Sequence, residues 1–524
     1  MVPAPLLTRV EKGSKRPNPA LKEGVQESRG IVVVSQTQQT KIHNGLTILA
    51  QRMDHVRSAV VNLLIPAGFV HEPKGEEGIA NVLSEMLQRG AGKLDSKAFA
   101  QALDRLGIDL DCSVGAHHLR ITATGMADKI DHILGFIRDV ALAAKLPASE
   151  LASAKELALQ ELQGLDDEPR GQVIKELRSN HFPHPYGNSR YGTPEGIQAI
   201  THANLKGFWE RHGHAKGSIL SVAGLIDPVS VFNCVEKLFS GWAPGKETPI
   251  KLGKRGQLTA HIEKETQQTQ IALAWDSVHP SHPDYYQAQG LVNVLSGGMS
   301  SRLFTEVREK QGLCYSVWAT HVSLHDRGAI FAYAGTTNDR APLTLASVKR
   351  EIARITDGIT KEEVDQVRVG LKSALLMQED SSMTRAASIA SDWYHLGRVR
   401  PLEEIEAAVM ALTPKSILEY AKKYAPKELT QVTMGPEMGK AVAPKVKAKP
   451  TVAPVVKEVA KKAAPVKAAP VKAAPVKAAP VKAAPVKAAA AAMPNQTKKA
   501  PTKIPVATKA KPAVKPVKTT PKKK

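Results

Sequence analysis

Two residues able to hydrogen-bond an oxygen atom, Arg308 and Tyr315, stand in the stretch GGMSSRLFTEVREKQGLCYS over Gly297–Ser316. A guanidinium offers a planar fork of donors to a carbonyl or carboxylate, and a phenol can donate to an oxyanion. Gly297 and Gly298 precede an amphipathic helix. They let backbone approach a ligand closely, or simply start the helix. Gly312 marks the helix end, so the Arg-x6-Tyr pair straddles it. Spacing alone leaves a plainer alternative, in which Arg308 pairs with Glu306 or Glu309 on its helix surface and Tyr315 packs in a strand.

The remaining polar clusters offer less. His117 and His118 fall in a strand pattern, where adjacent side chains face opposite ways, which argues against joint metal ligation. His212 and His214 flank a glycine and read as a helix end. Cys112, Cys234 and Cys314 show no paired or metal-ligand spacing and fit reduced thiols used as small core residues. There is no P-loop, no glycine-rich dinucleotide fingerprint and no Gly-x-Ser-x-Gly elbow.

The elements that must position these residues repeat. Ile31–Val34 and Thr40–Ala50 read as extended chain, with Asn44-Gly45 as a hairpin turn. Ala59–Ile65 reads as a more buried strand. A loop ending at Gly78 leads to a helix. Then come a helix near Ser96–Leu106, strands near Asp109–Ser113 and Leu119–Thr124, and helices through Asp128–Leu142 and Ser149–Leu165. In the second half a strand at Thr269–Trp275 again precedes a loop and a helix, Tyr285–Ser296. Gly78-Ile-Ala-Asn-Val-Leu-Ser lines up with Gly290-Leu-Val-Asn-Val-Leu-Ser. A repeat of this size predicts two homologous α+β domains, each a mainly antiparallel sheet with helices packed on one face. The expected partition is an N-terminal extension over 1–37, a first domain over 38–240, a Gly/Pro/Lys-rich linker over 241–253, a second domain over 254–438 and a tail over 439–524.

Charge separates the tail from the rest. The chain has 524 residues and a formal net charge of +22. Residues 441–524 hold 21 Lys, no Arg and one acid, Glu458, whereas residues 1–440 hold 51 basic and 49 acidic side chains. Lys462, Lys467, Lys472, Lys477, Lys482 and Lys487 are spaced by Ala-Ala-Pro-Val. Recurrent proline removes backbone donors, and no large apolar surface offsets ordering entropy, so the tail is expected to be disordered. It reads as an electrostatic tether to nucleic acid or another polyanion, or as a solubilising tail without a specific partner. It has no aromatic residue for base stacking. No run approaches 18 apolar residues, so no membrane span is expected. The first 30 residues lack the apolar core of a secretory signal. The expected location is the cytoplasm, with the mitochondrial matrix as the alternative; Glu11, Glu23 and Glu27 count against a presequence.

Gly297–Ser316 resembles the C-terminal-half signature of the pitrilysin/insulinase family of zinc peptidases, the inverzincins, which includes mitochondrial-processing-peptidase-like members. The resemblance covers roughly residues 38–436 and implies two α+β halves closing around a cleft. Active members of that family carry His-x-x-Glu-His on the first-domain helix: two histidines share a helix face to bind Zn²⁺, and the glutamate activates the bound water. Here Asn81 stands at the first His, Ser84 at the Glu and Glu85 at the second His, and His-x-x-Glu-His occurs nowhere in the chain. A carboxamide is a poor zinc ligand and a serine hydroxyl a poor base.

The bland reading is that Asn81, Ser84, Glu85 and Gln88 form the polar face of an amphipathic helix. The family places a further ligand glutamate on another helix, a position matched by Glu161. Glu161 lies on the stripe Ala154, Ala158, Leu165 and is expected to point inward. It would be a vestigial ligand able, with Glu85, to hold a hard cation weakly, or an inward Glu paired with Arg or Lys or held neutral. The resemblance also implies that Arg308 and Tyr315 face the zinc and contact substrate backbone, and that Pro183–Thr193, with His181 and His184 taken as structural, is a family loop. The chain is therefore expected to bind no metal itself. It is read as the non-catalytic subunit of a metalloendopeptidase heterodimer, acting on unstructured peptides with a zinc-bearing paralogue. The alternative from a different class is a structural scaffold tethered to a polyanion by its tail.

Overall fold

The computed structural model describes residues 32–34 and 36–437. The expectations for the basic tail and for most of the N-terminal extension lie outside the described residues. The first half runs β1 (Val32–Val34), β2 (Thr37–Lys41), β3 (Thr47–Arg52), β4 (Ser58–Ile65), α1 (Ile79–Leu87), α2 (Ser96–Leu106), β5 (Asp109–Val114), β6 (Leu119–Met126), α3 (Ile130–Ala143), α4 (Leu151–Asp167), α5 (Pro169–His181), α6 (Pro194–Ala199), α7 (His202–His212), β7 (Ile219–Gly224) and α8 (Pro228–Phe239). The second half runs β8 (Thr259–Glu263), β9 (Gln268–Ser277), α9 (Tyr285–Ser296), a π-helical turn (Leu303–Glu309), β10 (Cys314–Ser323), β11 (Gly328–Thr337), α10 (Ala341–Arg354), α11 (Lys361–Glu379), α12 (Ser382–Leu396), α13 (Leu402–Met410), α14 (Pro414–Lys423) and β12 (Thr430–Gly435).

The first sheet has the order β1-β2-β3-β7-β4-β6-β5 and the second β10-β11-β9-β12-β8. Read in one direction, β3-β7-β4-β6-β5 and β8-β12-β9-β11-β10 are the same arrangement. Each has one parallel pair, β3 with β7 and β8 with β12, and is otherwise antiparallel. The heptapeptide repeat seen in sequence marks α1 and α9, the first helices of the two sets. Val32–Val34, assigned from sequence to the extension, instead joins the first sheet by pairing antiparallel with β2.

The halves exchange a helix. On β4, Val61, Leu63 and Ile65 face the first half's own helices, while Val60 and Leu64 pack with Ala386, Ile389 and Ala390 of α12. On β9, Leu273 and Trp275 face α9, whereas Ala272 and Ala274 belong to the core that includes Val173 and Leu177 of α5. Each sheet is therefore buried on both sides, its second face covered by a helix from the other half. This explains why β4 and β9 read as nearly unbroken apolar runs. Hydrogen bonds accompany the exchange. Ser221 Oγ donates to the Ala386 carbonyl at 2.8 Å, Arg385 Nε donates to Gln51 Oε1 at 2.7 Å, and His181 Nδ1 meets Thr430 Oγ1 at 2.9 Å. The segment between Trp242 and Thr259 has no helix or strand, and its backbone bonds to the end of α5 through Gly256 N–H to Asn180 O and to the loop after it through Gly253 N–H to His184 O.

Candidate functional site

Local sequence fixes where α1 begins. Gly78 precedes it with φ +108°, a left-handed conformation suited to glycine. A Cβ there would meet Ile197 Cγ1 at 2.7 Å, so α6 can approach closely. Glu72 Oε1 accepts the Ala80 N–H at 3.1 Å, satisfying one of the helix's orphan donors. Burial pushes the Glu72 carboxyl up to about 8 despite these backbone bonds. Sequence reading missed this residue, and no local signal marks it, since it stands seven residues before the first residue of α1.

The polar positions of α1 are not a solvated face. Asn81 is 8% exposed and Ser84 3%, and only Glu85 is half-buried. Asn81 Nδ2 donates to Glu161 Oε2 at 3.1 Å, and Ser84 Oγ donates to the Asn81 carbonyl at 2.8 Å. Glu161 departs from the inward orientation expected of it. The buried stripe of α4 is Ala154, Ala158 and Leu162, and Glu161 stands where that face meets the polar edge of α1, so it is exposed and yet reaches Asn81. Its partner is thus a carboxamide and not the Arg or Lys expected of a paired glutamate. The Glu85 carboxyl is raised, first by burial and then by the Glu161 and Asp111 carboxylates, with Arg89 opposing.

This group does not fit zinc. The position of the first ligand presents an N–H donor to the carboxylate of the last, and the position of the base presents a hydroxyl already committed to backbone. Among the described residues no group of three or more His, Cys, Asp or Glu side chains is arranged to hold a metal ion.

Arg308 and Tyr315 are brought together. The segment expected as an amphipathic α-helix is a π-helical turn, Leu303–Glu309, and Arg308 lies in its last turn. The Arg308 guanidinium stacks on two rings, with its Cζ 4.5 Å from the Phe304 centroid and 5.1 Å from that of Tyr315. Arg308 Nε also lies 3.6 Å from Glu309 Oε1, while Glu306 bonds Lys310 at 2.7 Å. Tyr315 does not pack. It occupies a β-bulge of β10, between the Cys314–Thr336 and Ser316–Gly335 pairs, and is 82% exposed. A bulge re-aims its side chain out of the pleat. Phe304, missed in the sequence, sits four residues before Arg308, a spacing that joins side chains on one helix face. Gly297 and Gly298 end α9 and line a small cavity with Ser300, Glu363, Gln366 and Val367. Among the described residues no hydrogen bond or ion pair joins the α1–α4 group to Arg308 or Tyr315.

The histidines need one correction. His117 and His118 lie in the turn between β5 and β6, not in a strand, so alternation does not separate them, and both rings contact Tyr394. His212 ends α7, and both it and His214 are buried.

Known proteins resemble this chain in sequence and fold. Residues 47–194 match the model of the insulinase peptidase family M16, and residues 199–371 match that of the M16 inactive domain. The chain is 28% identical over 399 residues to an uncharacterized zinc protease of Rickettsia bellii, covering 76% of this chain and 97% of that one. An uncharacterized zinc protease of Bacillus subtilis is 26% identical, covering 69% and 89%. A probable mitochondrial-processing peptidase subunit beta of Schizosaccharomyces pombe is 23% identical, covering 74% and 88%. A crystal structure of an M16 peptidase inactive domain from Pseudomonas fluorescens shares the fold, with a TM-score of 0.70 at 22% identity, covering 77% of this chain and 99% of that one.

Proposed function

The chain belongs to the insulinase family of peptidases, and from that premise we infer that it is a non-catalytic subunit gripping unstructured peptides for a zinc-bearing paralogue. One contrast carries this reading. The Asn81–Glu161 hydrogen bond joins positions that the family resemblance assigns to metal ligands, while the half-buried Arg308 guanidinium lies against the exposed Tyr315 phenol. The guanidinium is pre-organised by stacking on Phe304, so less entropy is lost when it donates to a peptide carbonyl. Edge strand β5 supports the same reading. Among the described residues it pairs only with β6 and it contacts α1, so an extended peptide can add as a strand at its other edge.

In this reading cutting chemistry comes from the partner's metal, and this chain supplies positioning and electrostatic contacts. Mixing the purified chain with a family member carrying an intact His-x-x-Glu-His tests it. Cleavage of a flexible peptide is expected in the mixture at a rate at least tenfold above either protein alone. Equal rates with and without this chain overturn the reading. The second reading, a scaffold tethered to nucleic acid or another polyanion, rests on the 21 lysines of residues 441–524.

A further inference from the structure

Six rings that peptide gripping does not use gather where the halves meet. The β5–β6 turn contributes His117 and His118, and the loop after α5 contributes Tyr186. The β10–β11 turn contributes His325, and the end of α12 contributes Tyr394 and His395. The contributions match: the two hairpins hold equivalent places in the two five-strand sets, and α5 and α12 are the exchanged helices. Between ring centroids, His117 lies 5.3 Å from Tyr186, 5.5 Å from Tyr394 and 6.3 Å from His325. His118 meets Tyr394 edge-on at 4.5 Å, and His325 lies 4.8 Å from Tyr394 and 6.2 Å from His395. Gly68 lets the first turn come close, since a Cβ there would meet the Ala116 oxygen at 2.3 Å.

The surroundings do not favour charge on His117, His118 or His395. His117 Nε2 and His395 Nδ1 are buried without a hydrogen-bond partner. The charged groups facing the cluster are Asp326 and Arg327, joined to each other at 2.7 Å; Arg120 on β6, near His118; and Asp392 and Arg400, joined at 2.6 Å beside His395. His71 and His279 complete the set. Both nearby carboxylates are already paired with arginine, and the Arg327 guanidinium also lies over the Tyr186 ring at 4.8 Å. A proton on His117, His118 or His395 therefore adds a buried positive charge among other imidazoles.

We propose that this cluster is an acid-sensitive clasp: its neutral rings hold the two halves together, and their protonation releases them. Burial, reinforced by the neighbouring histidines, supports this by pushing His117 down to about 4, His118 to about 3 and His395 to about 4. These values are depressed in the closed state, so its stability is undiminished above the ordinary histidine value of 6.5 and falls as pH drops towards 4. Across that window each imidazole lowers the closed-to-open ratio about tenfold per pH unit.

Amide hydrogen exchange of the full chain, corrected for intrinsic rates, tests the clasp at about pH 7.5 and about pH 5. Protection of Ser382–Leu396 is expected to fall at least tenfold at the lower pH while β4 and β9 keep theirs. A variant with His117→Gln, His118→Gln and His395→Gln is expected to show less than half of that loss. Wild-type protection of α12 that is unchanged by pH overturns the proposal, whatever the variant does. So does an equal loss in a folded variant.

Discussion

At the scale of residues, the chemistry turns on what each side chain is already bonded to. Asn81 gives its N–H to Glu161, so restoring one histidine cannot rebuild a zinc site. Asn81→His alone is expected to bind no stoichiometric zinc, whereas Asn81→His with Ser84→Glu and Glu85→His binds about one ion, held also by Glu161. Metal analysis after dialysis distinguishes these outcomes. Glu72 gives a pH prediction. Its carboxyl is raised to about 8 in the folded state, so the fold favours the neutral acid, and stability declines as pH rises from the ordinary value of 4.5 towards 8. Glu72→Gln should remove that decline, gaining on the order of 1–3 kcal/mol on wild type across the window in denaturant titrations. The motif positions 81, 84, 85, 308 and 315 were readable from order and spacing. Their partners were not: the Asn81–Glu161 bond spans 80 residues of chain, and the burial of Asn81 and Ser84 depends on α4 and α6 packing over a face that looked solvated.

At the scale of elements, the exchanged helices bind the halves into one unit. Ile389 is fully buried between α12 and the first sheet. Ile389→Ala is expected to destabilise by about 2–4 kcal/mol, read by thermal or denaturant unfolding, and to loosen both halves together. Loss confined to the second half would contradict the exchange. Strands and long helices were legible because their apolar periodicity is local: α2 and α9 begin and end where the sequence places them. The exchange left only an indirect mark, the double-sided apolar character of β4 and β9, which sequence registers as burial without saying by what. The π-helical turn at Leu303–Glu309 left none, since its composition is that of an ordinary amphipathic helix.

At the scale of the whole molecule, residues 1–440 are nearly neutral and residues 441–524 strongly basic. If the tail binds polyanions, removing residues 441–524 abolishes binding to duplex DNA. The full chain's affinity should then fall steeply with salt, with a log–log slope of several units. That outcome favours the tether and leaves peptide gripping to be judged separately. The central claim is that this chain holds peptide for a metal it does not carry. Its most direct test is the peptidase rate of the assembly with a zinc-bearing paralogue, measured with wild type and with Arg308→Ala. The account predicts that kcat/KM falls about 10–100-fold, the loss of one charged hydrogen bond to substrate, while zinc content and assembly are unchanged. An Arg308→Ala assembly as fast as wild type, or zinc-dependent cleavage by this chain alone, would contradict it.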